Sequence, residues 1–480
     1  MNFEIYKTAL VTEIQTAELY HTYSGEDYKL SKKFLYKFDK ISNLWTETEE
    51  SFIISDIAQW LLTQQIMFTD EFNKKLATNK SDTILQQLTE LTKNTKKITS
   101  YTHLQKVYKF FTKLINDDKF IELLNHLHPY LLPINNGLVV DLKTSLTSPR
   151  TKEHYFSFQC PVQITSTKTE FFKQFLSSIM LDDIECIVYL QKILGYCLSG
   201  SLKARCFFIM HGNGKNGKSI LMLLMKAVLD SSYKQVMKSV FIQSNQNCQV
   251  ETMELKGARM CVLNETNDNE KLNESLIKSL TGGDPISARP LYKDVITFNP
   301  ICKIFICTNN KPTFNGDDQA NTDRVKLIPF NARFVDNPTK QNERKCILNI
   351  DKNLIENHLD EFFTWLLEGA KNFFEDEKLS PPLSILEVEN QYILEQASFK
   401  SWVSENIIES VNNRLNRALA FLNYEQFCSE NLLKMETKKK FFSLMLDNYT
   451  CLKSNGDMCY KDIDIKKIEQ ATTLFSDLDN

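Results

Sequence analysis

With 480 residues, 42% of them hydrophobic and 24% charged, the chain has the composition of an ordinary globular protein and enough length for about two to four domains. Its 57 Lys and Arg against 60 Asp and Glu leave a net charge of −3, which excludes a uniformly basic nucleic-acid binder and confines any such contact to local patches. No apolar run approaches the roughly 18 residues of a membrane span, the N-terminus with Glu4 lacks the apolar core of a signal peptide, and the twelve cysteines form no C-x-x-C pair.

Cys206, Cys261, Cys302 and Cys307 lie in apolar runs, where a reduced thiol packs as a small core residue. The expectation is a reducing, cytosolic or nuclear location, with no membrane contact and no zinc site.

Residues 1 to about 130 read as mainly helical, with a β element at Phe34–Asp39, a turn at Ser42-Asn43, and Leu44-Trp45 after it. From Glu26 to His128 there is no Gly or Pro, which removes the strongest helix breakers. Lys93, Lys96 and Lys97 cluster there and read as a solvated helix face rather than a nucleic-acid rim. Leu131 to Leu142 changes to short strands around an Asn-Gly turn, and Tyr155 to Ile164 is expected to continue the β pattern. Phe171 to Leu198 returns to helix. No internal repeat or low-complexity linker is found.

The run Cys206 to Met210 is continuously apolar, as a strand buried on both faces requires, and Ile220 to Leu229 is long enough for a helix. Between them, Gly212-Asn213-Gly214-Lys215-Asn216-Gly217-Lys218-Ser219 fits G-x-x-x-x-G-K-[ST] without a mismatch. Glycines let such a loop curl so that backbone N–H groups and the helix N-terminus face phosphate oxygens. Lys218 would then reach the β and γ phosphates of ATP and the Ser219 hydroxyl would ligate Mg²⁺.

Ala258 to Glu265 is an apolar strand closed by an acid, which makes Glu265 the candidate base and a further Mg²⁺ contact. Leu272 to Leu280 reads as a helix stopped by Thr281-Gly282-Gly283, and Ile286 to Phe298 as two short strands with a basic, aromatic tip. In that tip Arg289 and Lys293 would grip phosphates while Tyr292 stacks on a base or props the hairpin. Lys303 to Asn309 is another buried strand, with Asn309 placed at its carboxyl end to orient the hydrolytic water, and Arg324 precedes a further strand through Phe330.

In their order these pieces, with Tyr189 to Tyr196 ahead of them and Thr308-Asn309-Asn310-Lys311-Pro312 among them, resemble superfamily 3 helicases. The branch is the one found as the C-terminal half of primase-helicases of large cytoplasmic DNA viruses, phages and mobile plasmids. The resemblance implies an α/β AAA+ P-loop fold, a hexameric ring around DNA, ATP sites between subunits, and a hairpin projecting into the channel. It also implies that Arg324 is the finger completing a neighbour's ATP site, although Asp323 stands where many relatives carry a first arginine.

The implied layout is a mainly helical N-terminal α+β domain over 1–165, an ATPase domain over 166–340 with lead-in helices at 166–200, and a C-terminal helical region over 341–480. The last of these, from Tyr424 through Phe441 to Asn455-Gly456 and Tyr460, is similar to a winged-helix-like module. The primase half of the family is missing, so the chain reads as helicase-only or as a fragment beginning after the primase, with a primase or polymerase as a further partner. Asp462-Ile463-Asp464 imitates a polymerase metal motif but reads as strand surface. The expected activity is ATP-driven translocation on DNA. An ATP-switched initiator or loading platform and, more weakly, a small-molecule kinase stay open.

Overall fold

The computed structural model describes the chain apart from residues 1–2, 11, 79–80, 99, 244–247, 268–269, 290–294, 432, 434, 455–456 and 467–480, and apart from the side chains of 8–9, 94–97 and 454. Lys96, Lys97, Tyr292, Lys293, Asn455 and Gly456 therefore lie outside the described side chains. The chain divides into two compact units, residues 1–164 with 198–201 and 228–232, and residues 165–197, 202–227 and 233–480. No described helix is long and apolar enough to cross a membrane.

In the first unit the Gly- and Pro-free stretch forms helices Glu50–Thr78, Asp82–Ile98 and Tyr101–Leu114, preceded by an antiparallel sheet of Tyr28–Ser31, Phe34–Asp39 and Leu44–Thr48. Aromatic residues spaced along the helices close its core: Tyr6, Tyr20, Trp60, Phe68 and Phe111 are all at most 6% exposed. Leu131–Ile134 pairs with Leu138–Asp141 across the three residues Asn135, Asn136 and Gly137, the last two left-handed at φ 62 and 66, the region Asn and Gly adopt most readily.

The β pattern expected over Tyr155 to Ile164 does not form. Tyr155 turns left-handed at φ 54, Pro161 has no N–H to donate, and only an isolated bridge between Ile134 and Cys160 remains.

The second unit begins with helices Glu170–Ile179 and Ile184–Cys197. The latter crosses Leu359–Asp376 so closely that a Cβ on Gly195 would come within 2.2 Å of the Ala370 nitrogen, so glycine is required at the crossing.

Five strands follow: β1 (Phe207–His211), β2 (Tyr233–Gln235), β3 (Met260–Asn264), β4 (Lys303–Thr308) and β5 (Val325–Pro329). All pair parallel, in the order β5-β1-β4-β3-β2. The side chains of β1, β3 and β4 are buried on both faces, which is why they read as largely apolar runs, Lys303 at the start of β4 excepted. Helix α1 (Lys218–Leu229) follows β1, and helix α2 (Glu274–Gly282) follows β3. The α2 helix starts two residues later than the apolar spacing predicts, because the Asn273 side chain accepts from Leu276 N at 3.3 Å and caps it.

The hairpin expected after α2 is present as Ile286–Ala288 paired antiparallel with Ile296–Phe298. At the end of the chain, helices Ser398–Asn406, Arg417–Glu430 and Lys438–Asn448 accompany an antiparallel sheet in which Asp457–Ile465 lies between Ile407–Asn416 and Cys451–Ser454. Asp462 and Asp464 sit in that central strand. Each is tied to its neighbour, accepting from Asn412 N at 2.9 Å and from Asn413 Nδ2 at 2.6 Å.

A candidate nucleotide site at the carboxyl ends of β1, β3 and β4

Parallel strands end together, so whatever follows β1, β3 and β4 meets at one edge of the sheet. There a cavity of about 800 Å³ is lined by Gly214 to Ser219, Asn264, Glu265, Thr308 and Asn309. The loop between β1 and α1 is built on glycine geometry: Gly214 and Gly217 sit at φ 81 and 87, and a Cβ on Gly217 would strike Ile179 Cγ2 at 2.4 Å.

Lys218 lies at the floor, 6% exposed, donating to Gly212 O at 2.6 Å, Asn309 Oδ1 at 3.1 Å and Thr308 O at 3.2 Å. Burial pulls its pKa below the usual lysine range. A buried ammonium held by neutral carbonyl oxygens is undercompensated, and an anion entering the cavity would complete its charge balance. Ser219 is exposed at the start of α1, where the first backbone N–H groups have no intrahelical acceptor.

Glu265 follows β3 in a left-handed backbone at φ 61, its amide donating to Cys307 O at 2.8 Å. Next to it, buried Thr266 and Thr308 hydroxyls meet at 2.6 Å, and both also bond to Asn310 O, at 2.5 and 2.8 Å. This knot fixes the residues after β3 against those after β4. It holds Glu265 and Asn309 on the same cavity as Lys218.

Not all loop residues share that cavity. Gly212 and Asn213 line a second one, of about 620 Å³, with His211, Phe330, Arg333 and Asn342. Asn216 lines the main cavity but is 3% exposed, and its side chain is spent on Phe330 O at 3.3 Å, which anchors the loop.

Arg324 lies elsewhere. It precedes β5, whose first residue pairs with the first residue of β1, so it stands at the opposite end of the sheet from the loop. Its Nη1 donates to Ala320 O at 2.6 Å and its Nε to Thr281 Oγ1 at 3.1 Å. Arg289 is exposed at the end of the first hairpin strand and also outside the cavity, while Tyr292 and Lys293 lie outside the described residues.

Sequence reading missed the apolar lining of the cavity: Phe175, Phe334, Val335, Ile347 and Ile350. Phe334 is brought there by its amide, which donates to Lys215 O at 2.7 Å. No local pattern marks these residues, since among the described residues the short Arg333–Val335 and Glu343–Lys345 strands pair only with each other.

Fold and cavity together define a mixed α/β protein with a helical N-terminal region and a polar, lysine-floored site at the edge of a parallel sheet. Its relatives are specific. Residues 17–181 match the family described as D5 N terminal like, and residues 210–324 match a family of unknown function, DUF5906. A protein of Acanthamoeba polyphaga mimivirus named "Putative helicase L207/L206" is 29% identical over 335 residues, 63% of this chain and 33% of that one. "Primase D5" of Fowlpox virus is 29% identical over 162 residues, 32% of this chain and 20% of that one.

Among solved structures, the apo structure of the NrS-1 C terminal region (305-718) is 10% identical at a TM-score of 0.47. It covers 95% of this chain and 100% of that one, a likeness too distant to place residues. The resemblance drawn from the sequence motifs is thus borne out: the chain is a relative of the helicases and primases of large DNA viruses. It spans about a third or less of the length of these curated relatives.

Proposed function

We propose that the chain is an ATP-dependent DNA helicase of the superfamily 3 type, with an AAA+ core, working as a ring on single-stranded DNA in viral or mobile-element replication. The observation that carries this reading is the convergence of Lys218, Glu265 and Asn309 on one cavity beside a Gly-Lys-Ser loop. An NTP-binding loop alone does not distinguish a motor from a kinase. An acid and an amide closing adjacent strands beside it are what water activation requires.

Lys218 exchanges its carbonyl partners for the β and γ phosphates of ATP, and the α1 N-terminus takes up further phosphate oxygens. The donor set of Ser219 hydroxyl and Glu265 carboxylate is all oxygen and suits Mg²⁺, which when bound neutralises the developing charge on the phosphates. Glu265 receives the proton of a water whose oxygen attacks the γ phosphorus as the bond to ADP breaks, and Asn309 orients that water. Arg324, remote from its own cavity, serves the neighbour's. The apolar wall of Phe334, Ile347 and Ile350 receives the base. The hairpin carrying Arg289 is the DNA-contacting element.

Lys218→Ala is expected to abolish ATP hydrolysis and strand displacement together. Undiminished hydrolysis by a clean preparation of that variant would sink the assignment of the site.

A further inference from the structure

In the first unit a cleft of about 610 Å³ opens between the helix Glu13–Ser24, the strand Phe34–Asp39 and the helix Glu50–Thr78. Its lining includes the rings of Tyr23 and Trp60 and three carboxylates, Asp27, Asp39 and Asp56. Two lysines share the cleft, but each is already matched. Lys37 pairs with Asp56, which also accepts from Tyr28 Oη at 2.7 Å, and Lys40 pairs with Asp27 at 2.7 Å.

Asp39 is the carboxylate left over. Among the described residues no cation lies within ion-pair distance of it, and Lys37 acts on it only at longer range. Its side chain is also fixed in place. Oδ2 accepts from Ser42 Oγ at 2.6 Å and Ser42 N at 3.3 Å, and Oδ1 accepts from Ile41 N at 3.0 Å. The Ser42 hydroxyl and the Ile41 amide hold the carboxyl below the usual carboxylate range, so it stays ionised. A carboxylate has about four acceptor sites, which leaves room on Oδ1 for one more donor.

The second unmet group is itself a donor. Trp60 is 6% exposed, and its indole N–H has no hydrogen-bond partner among the described residues. A buried donor without an acceptor is rare and destabilising, and a carbonyl brought into the cleft would relieve it. Beside the indole, at 5.6 Å between ring centroids, lies Tyr23, which is 67% exposed and so keeps a ring face open for stacking.

We propose that this cleft docks a peptide segment of a partner protein through an arginine, its guanidinium on Asp39 and over Tyr23, with a backbone carbonyl of the segment accepting from Trp60. Each unmet group selects a part of that ligand. A planar, weakly hydrated guanidinium suits a carboxylate beside an open ring better than a compact ammonium does. A free polyamine has no acceptor to offer the indole. A nucleic-acid strand brings phosphates, which Asp39 repels and which the two lysines, already paired with carboxylates, are poorly placed to attract. The docking role is separate from nucleotide hydrolysis and does not rest on it.

The test uses the full chain with fluorotryptophan at its four tryptophans, read by fluorine NMR, the Trp60 signal being assigned by its loss in Trp60→Phe. The probe is a blocked glycyl-arginyl-glycine peptide, titrated through the millimolar range beside its citrulline counterpart, which keeps the shape and loses the charge. The expected result is a saturable shift of the Trp60 signal alone, with binding about tenfold or more weaker for citrulline and weaker by as much in Asp39→Asn. Tyr23→Ala, at an exposed position, weakens binding with the melting temperature unchanged, and it decides the matter if Asp39→Asn melts lower.

A Trp60 signal that stays still, equal shifts from the two peptides, or all four signals moving together overturns the proposal. So does a Trp60 shift produced by oligo-dT instead of the peptide, which makes the cleft a nucleic-acid contact. A shift produced by protein concentration alone also overturns it and makes a second copy of the chain the occupant.

Discussion

A glutamate in the left-handed region costs on the order of 1 kcal/mol, because its Cβ crowds the following carbonyl. Glu265 occupies that region at φ 61, on the wall of the cavity floored by Lys218. Such strain persists where the surroundings impose it, and here the amide bond to Cys307 O and the Thr266–Thr308 knot do so. Two substitutions separate the backbone from the carboxylate. Glu265→Gln keeps the strain and removes the proposed base, so ATP hydrolysis is expected to fall about 10²–10⁴-fold with the melting temperature little changed. Glu265→Gly loses the base and the strain, so the same fall should come with an equal or higher melting temperature, whereas Glu→Gly in a regular strand destabilises. A glycine variant that melts lower and still hydrolyses ATP would contradict both the role and the strain.

At the scale of elements, β4 begins with a lysine that is 1% exposed. Lys303 Nζ donates to Ile301 O at 3.3 Å and lies 4.8 Å from the Tyr196 ring centroid, yet burial, with buried Arg259 adding to it, pushes its pKa down to about 7. Between about pH 7 and the ordinary lysine value of 10.5 the unfolded chain holds a proton that the folded chain has released, so this group makes stability rise with pH across that window. Below pH 7 both states are charged and the burial cost is felt in full. Lys303→Met, which keeps the volume, is therefore expected to raise the melting temperature more at pH 6 than at pH 9; an equal gain at both would mean the side chain stays charged throughout.

Such a lysine also marks the limit of what the sequence discloses. The strands β1, β3 and β4 were legible because both faces are buried and nearly every residue must be apolar, and the Asn136-Gly137 hairpin because its turn needs left-handed backbone. The strain at Glu265, the loop-anchoring role of Asn216, and the wall made by Phe334, Ile347 and Ile350 arise from contacts distant in sequence, and no periodicity encodes them. Tyr155 to Ile164 misled for the opposite reason, since its apolar residues are buried without a ladder to join.

The whole molecule sets the geometry for Arg324. Five residues of β5 at about 3.3 Å each put some 15 Å between it and the loop end of the sheet, so no rotamer brings its guanidinium to the phosphates bound by its own chain. In a ring with head-to-tail interfaces, two different surfaces of each subunit meet, so a residue remote from its own cavity can lie beside a neighbour's. On the proposed ring reading, its bonds to Ala320 O and Thr281 Oγ1 would present the guanidinium to the neighbour. The two arrangements differ in a mixing experiment. Arg324→Ala subunits have an intact cavity and no finger, and Lys218→Ala subunits have a finger and no working cavity, so each alone should be inactive. Mixed in equal amounts and allowed to exchange, about a quarter of interfaces would pair an intact cavity with an intact arginine, and that fraction of wild-type hydrolysis should return. A mixture as inactive as its parents, under conditions where wild-type subunits exchange, would show that Arg324 acts within its own chain as a structural brace, and the finger would have to be sought among other basic residues, Arg333 beside Gly212 first.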